Sequence, residues 1–372
     1  MAGIYIHIPF CKRACNYCNF HFSTSMKLRN DFLSSLLKEI ALRKNYIGGE
    51  LVETIYFGGG TPSLLSTEEL SAIFNELSKH FSISSFVEIT FEANPDNIDI
   101  NSLLLWKSLG INRLSIGVQS FFDEDLIWMN RVHSADQAIG CIQSARDAGI
   151  DNFSIDLIYG GPTLTDEKWM SNLERAVSLK IPHLSCYALT VEPSTALDVM
   201  IRKKKAAPVN TEDQARQFLL MTDYLQAAGY EHYEISNLAL PGKRSQHNSS
   251  YWRGVKYLGL GPSAHSFNGS TRQWNVANNA LYIQSLNNNE IPFEIETLSD
   301  EQRFNEYIMT ALRTIEGVDI NRARAISKSD LIQQSQQFID KKWVKIIDNK
   351  IMLTREGKLF ADGIASELFI VR

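Results

Sequence analysis

Apolar residues in the first half of the chain follow two rhythms. Short runs rich in β-branched and aromatic residues recur at 4–8, 54–57, 87–93, 113–118, 153–158 and 183–189. Between them, at 31–43, 67–80, 101–109, 135–148 and 167–179, apolar positions return every three or four residues. The first rhythm predicts strands and the second predicts helices. Strand and helix in alternation predict a parallel sheet covered by helices, because parallel strands need a crossover between them. Six such units make an α/β fold of the partial (β/α)6, TIM-like barrel type. Chemistry in such barrels gathers at the C-terminal ends of the strands.

Past Pro208 the rhythm changes. Residues 212–228 read as a helix that stops at Gly229, and 231–236 as a strand expected to complete or cap the open edge of the barrel. Further on, 303–313 reads as a helix, and 343–353 as two β-prone runs joined by Asp348-Asn349-Lys350, a hairpin signal. The expected organisation is a barrel over 1–240, a connecting segment over 241–298 and a smaller winged-helix-like α/β domain over 299–372. Helices followed by a hairpin do not dictate function, and the last unit reads as a lid or partner-contact domain.

Composition narrows the setting. Among 372 residues, 44% hydrophobic and 21% charged content are ordinary for a globular chain. No apolar run approaches the roughly 18 residues of a membrane span. No basic segment followed by a cleavage site opens the chain, so the expected location is the cytoplasm. A net charge of −5 argues against nucleic acid as the main partner. The run Arg202-Lys203-Lys204-Lys205 reads as a solvated face; a peripheral membrane contact would have to use it. Five cysteines in a chain of this length and setting read as thiols and not as a disulfide framework.

Three of those thiols, Cys11, Cys15 and Cys18, fall within eight residues after the first expected strand. Iron–sulfur clusters are held by such thiolates, and three ligands on a four-iron cluster leave one iron open for a substrate or cofactor. Structural zinc is the alternative, with His7 or His21 as fourth ligand. Polar residues then mark successive strand ends. They are Gly58-Gly59-Gly60-Thr61-Pro62 after the second, Glu92 at the third, Gln119 at the fourth with Arg131 in the next loop, and Asp156 in the fifth. Glycines let a ligand approach the backbone closely, and a carboxylate inside an apolar strand needs a partner. Singly each has a structural explanation; together they describe one polar pocket above the sheet.

The cysteine triplet, the GGGTP turn and the strand-end polar residues resemble the radical S-adenosylmethionine superfamily, most closely its oxygen-independent coproporphyrinogen oxidase branch. The resemblance runs from Tyr5 through the whole length. It implies a [4Fe-4S] cluster on Cys11, Cys15 and Cys18, whose open iron is chelated by S-adenosylmethionine. It also implies cofactor contacts at Tyr5, Tyr17, Gly59, Gly60, Thr61, Glu92, Gln119, Arg131 and Asp156. In that superfamily an electron from the cluster splits the sulfonium. The oxidases carry a further cysteine where this chain has Phe20, which puts coproporphyrinogen decarboxylation in doubt but not cluster binding. With that thiol absent, the segment His247-Asn248-Ser249-Ser250-Tyr251-Trp252 resembles the haem-chaperone branch. That likeness implies haem as bound cargo and haem-receiving apoproteins as partners, respiratory enzymes among them, and it allows a homodimer. Imidazole is the usual proximal ligand of haem iron, so His247 is the expected ligand, with His7, His265 and Cys186 as alternatives.

Overall fold

The computed structural model describes residues 1–327 and 329–370. Six parallel strands lie side by side in chain order: β1 (Ala2–Ile8), β2 (Val52–Gly59), β3 (Ile83–Ala93), β4 (Arg113–Gln119), β5 (Phe153–Tyr159) and β6 (His183–Ala188). The partial barrel of six βα units is therefore present. Two of its helices begin at reciprocal caps that the sequence supplies. Ser66 and Glu69 form a reciprocal capping box on the helix Thr67–His80, and Ser134 and Gln137 do the same on Ala135–Asp147.

Side chains alternate across a strand, and here the two faces differ sharply. Ile4, Ile6, Ile8, Ile55, Phe57, Ile89, Phe91, Leu114, Ile116, Phe153, Ile155 and Leu184 join one buried apolar core. The residues between them (Tyr5 and His7, Thr54 and Tyr56, Glu88, Thr90 and Glu92, Arg113 and Ser115, Ser154 and Asp156, His183 and Ser185) take the opposite face. That face is polar and lines the inside of the barrel.

Both open edges are extended. Beyond β6 come β8 (Asn237–Ala239) and then β7 (Glu231–Glu234), antiparallel, at the edge where the sequence placed a closing strand. Beyond β1 comes β9 (Lys256–Leu260), parallel to it, followed by β10 (His265–Phe267), β11 (Thr271–Asn275) and β12 (Phe293–Thr297). Residues 241–298 are thus more than a connection, since they supply four strands to the main sheet. The glycine-rich run around Gly259 and Gly261 has little aliphatic density, yet it pairs the backbone of β1, which would otherwise be buried without partners.

Residues from Phe304 to Leu368 pack round a second apolar core. The helices Asp300–Leu312, Ile320–Ile326 and Leu331–Asp340 pack with β13 (Val318–Asp319), β14 (Val344–Ile347) and β15 (Lys350–Leu353), in sheet order β13-β15-β14. This is a winged-helix-like arrangement. Asp348 and Asn349 turn the hairpin with φ of 48° and 60°, the left-handed pair that a two-residue type I′ turn requires.

Candidate cofactor-binding site and the adjoining cavity

The three cysteines sit on the loop that leaves β1. The base of that loop is closed by backbone hydrogen bonds from Cys11 N–H to Ser23 and from Ser23 N–H to Pro9, 3.0 and 2.9 Å long. Its far side is tied to the loop after β4, where Asn16 donates to the Trp128 carbonyl (2.6 Å) and Asn130 to that of Ala14 (2.7 Å). Two donors address the sulfurs. Arg131 Nη1 lies 3.3 Å from Cys15 Sγ, and Thr61 Oγ1 lies 3.5 Å from Cys11 Sγ. Burial raises the Cys18 thiol to about 11, and the neighbouring sulfurs of Cys15 and Cys11 add to the shift. Among the described residues, no group of three His, Cys, Asp or Glu side chains is placed to hold a single metal ion. Three mutually interacting sulfurs, two of them met by N–H or O–H donors, suit the wider spacing of an iron–sulfur cluster.

Behind this loop lies the barrel mouth. Glu92 accepts from Tyr56 at 2.8 Å, yet desolvation holds its carboxyl up at about 8. Asp156 is raised to about 6 by the same cause, with Ser185 opposing the shift. Neither carboxylate forms an ion pair among the described residues. Two carboxylates in that condition suit a cationic ligand, which would restore their charge. Arg131 is half-buried and bonded to Asn94 Oδ1 (2.6 Å) and the Gly117 carbonyl (2.8 Å), so it braces the cysteine loop against β3 and β4. Gln119 ends β4 with a left-handed φ of 68°. The glycines after β2 have a packing cause of their own. A Cβ on Gly59 would stand 2.5 Å from the His7 ring, and one on Gly60 would stand 2.6 Å from the Phe10 carbonyl. Tyr17 is sunk among Arg131, Cys15, Cys18 and Asp156, and burial raises its hydroxyl. The structure thus gathers the residues expected to contact S-adenosylmethionine around the barrel mouth.

His247 lies elsewhere, deep inside the barrel. Its Nδ1 is 2.8 Å from Thr54 Oγ1, its Nε2 is 2.9 Å from the Tyr251 hydroxyl, and its ring stacks on Tyr56 at 5.1 Å. Both nitrogens are engaged and the side chain is buried, so in this conformation His247 presents no free nitrogen to a haem iron. Two of the alternatives are engaged or enclosed as well: His7 spends Nε2 on the His21 carbonyl (2.8 Å) and Nδ1 on Tyr5 (3.3 Å), and Cys186 is buried in the main core, whereas His265 is exposed and stacks on Trp274. The rings instead form a column. Centroids step from His7 to Tyr5, Tyr56, His247, Tyr251 and Tyr257 at 6.2, 6.0, 5.1, 5.0 and 4.6 Å.

The column ends at a cavity of about 670 Å³ between the sheet extension, the helix Gln246–Trp252 and the C-terminal unit. Asn248, Tyr251 and Trp252 of the HNxxYW segment line it, together with Tyr187, Tyr257 and Phe267. Five arginines also face it, at positions 253, 272, 303, 313 and 322. Sequence reasoning missed these arginines, because they are scattered over two structural units and none stands in a basic run. Arg113 was missed too. It is buried inside the barrel with Nε and Nη2 lacking acceptors among the described residues. Its signal was polar alternation along strands that had been read only as apolar runs.

A thiol-bearing loop after the first strand of a partial barrel, with carboxylates at the strand ends, defines a radical S-adenosylmethionine protein. The Radical SAM superfamily profile matches residues 5–176. The chain is 31% identical to the heme chaperone HemW of Mycobacterium tuberculosis, covering 98% of this chain and 94% of that one. It is 32% identical to the Bacillus subtilis protein of the same name, covering 98% of each. The chain belongs to the HemW family. Coproporphyrinogen III oxidase (HemN) from Escherichia coli shares the fold, with a TM-score of 0.85 at 23% identity over 99% of this chain and 90% of that chain.

Proposed function

We propose that this chain binds haem in the 670 Å³ cavity and hands it to apoproteins. The scaffold would hold a [4Fe-4S] cluster on Cys11, Cys15 and Cys18. The observation that carries the haem reading is the position of the HNxxYW segment. Three of its residues, Asn248, Tyr251 and Trp252, face a cavity of the size class that encloses cofactor-sized ligands. Aromatic side chains from both flanks can pack on a flat macrocycle, and the names of the relatives support the same reading. The cluster, when bound, supplies the electron for S-adenosylmethionine cleavage.

This chain's own residues would position that cofactor. Glu92 and Asp156 would face its cationic groups, and Thr61 and Arg131 would donate to the cluster sulfurs. Tyr5, Tyr17, Gly59, Gly60 and Gln119 would shape the walls. Residues 299–372, taken as a separate domain, would wall the haem cavity. The setting would be the reducing cytoplasm, where cysteines stay available as ligands; no helix among the described residues is long and apolar enough to cross a membrane.

The test is an anaerobic incubation of the reconstituted protein with coproporphyrinogen III, S-adenosylmethionine and a reductant, followed by a haem titration of the same sample. The proposal expects no protoporphyrin and a shifted haem absorption band that saturates at one haem per chain. Protoporphyrin formed at catalytic turnover would contradict it.

A further inference from the structure

We propose that the cavity recognises its ligand by two carboxylates, held by Arg272 from the barrel wall and Arg322 from the C-terminal unit. The ligand would then be a flat macrocycle gripped along its acidic edge, and binding would fasten the two units together. This deepens the haem reading above and rests on it.

The charge of the cavity is the first support. The chain as a whole carries −5, yet five arginines and two glutamates, Glu234 and Glu306, line this cavity. Burial raises both glutamates above the ordinary carboxylate range, and Glu306 is ion-paired to Arg272. A cavity of this sign in an acidic protein selects an anion. Its aromatic walls favour a flat, largely apolar body over a small inorganic ion.

The state of each guanidinium is the second support. Arg303 and Arg313 are ion-paired to Asp300 and Asp362, both strongly exposed. Arg253 donates to the Ser249 carbonyl and the Ser250 hydroxyl at 3.3 and 3.4 Å. Arg322 differs. It lies over the Tyr307 ring at 4.3 Å, and no carboxylate among the described residues pairs with it. Arg272 meets Glu306 through Nη2 at 3.0 Å, while its Nε is buried with no acceptor among the described residues. One free guanidinium and one half-satisfied guanidinium therefore face the same space from opposite units. A guanidinium fork matches a carboxylate in bidentate fashion, so each can take one acid group.

The experiment titrates the full chain with iron protoporphyrin as the diacid and as its dimethyl ester, in the same detergent-buffered solution, following the haem absorption band. The diacid is expected to bind wild type at least about tenfold more tightly than the ester. R322Q and R272Q should each lose about tenfold to a hundredfold of diacid affinity and leave ester affinity unchanged. Equal affinity of wild type for diacid and ester would overturn the clamp while the haem reading stands. This comparison needs no variant, so a folding defect cannot obscure it. Unchanged diacid binding in both variants would overturn the clamp as well. Displacement of the diacid by stoichiometric inorganic pyrophosphate would do the same, since it would mark a general anion site. Failure of wild type to bind the diacid at all would sink the haem reading along with the clamp.

Discussion

The two ends of this molecule present different ionisable groups, buried carboxyls at one and a set of arginines at the other. At the barrel mouth, Glu92 and Asp156 stand desolvated and outside any close ion pair among the described residues, with Arg113 and Arg131 acting on Asp156 at longer range, behind a loop of three thiols. At the other end, arginines outnumber glutamates around an aromatic cavity. The mouth suits a sulfonium and ammonium cofactor, the cavity suits an acidic macrocycle, and a column of six rings runs between them. Net charge alone, at −5, conceals both sites. Local desolvation, and not the overall sum, decides which ion a site prefers.

The sharpest way to break the comparison is at the mouth. Cys15→Ser should abolish the cluster, because three ligands are the minimum the loop provides. Reconstituted protein should lose iron and acid-labile sulfide together, and a variant that kept both would refute the ligand assignment. Asp156→Ala should weaken S-adenosylmethionine binding about tenfold or more, as loss of a charge-assisted contact does, with cluster assembly intact. Equilibrium dialysis beside an iron assay separates the two effects.

Effects between the two ends should be smaller and structural. His247→Ala removes a buried ring that stacks on Tyr56 and bonds to Thr54 and Tyr251. It should cost about 2–4 kcal/mol in denaturant unfolding. Tyr251→Phe removes only the hydroxyl contact and should cost about 1 kcal/mol.

Glu92 gives the comparison a pH signature. Its carboxyl titrates at about 8 in the folded chain against an ordinary 4.5. Between those values the folded state binds more protons than the unfolded state, so this contribution to stability falls as pH rises. In ligand-free protein, Glu92→Gln should flatten the decline of melting temperature across that window. An unchanged slope would place the ionised carboxylate beside an unseen cation.

The mouth was largely legible in the sequence, because its residues fall at regular points, one per strand end or in the loop beyond. Cys11, Glu92 and Asp156 could be placed from the rhythm of strands alone. The cavity was not legible. Arg272 and Arg322 are fifty residues apart, on a strand that the sequence presents as a connecting segment and on a short helix of the second unit. The pairing of β9 with β1 attaches the first wall to the barrel, and the Arg272–Glu306 ion pair and the Glu234–Thr314 bridge join the second unit to it. His247 shows the same limit. Its motif pointed to the right region, but the ring turns inward, and it is Tyr251 and Trp252 that reach the cavity.

The most direct test of two separate sites is a haem titration of cluster-loaded protein with and without saturating S-adenosylmethionine. Separate sites predict the same haem affinity in both titrations, one haem per chain, and no release of S-adenosylmethionine on dialysis. Competition between the two ligands would place haem in the barrel mouth and contradict the account.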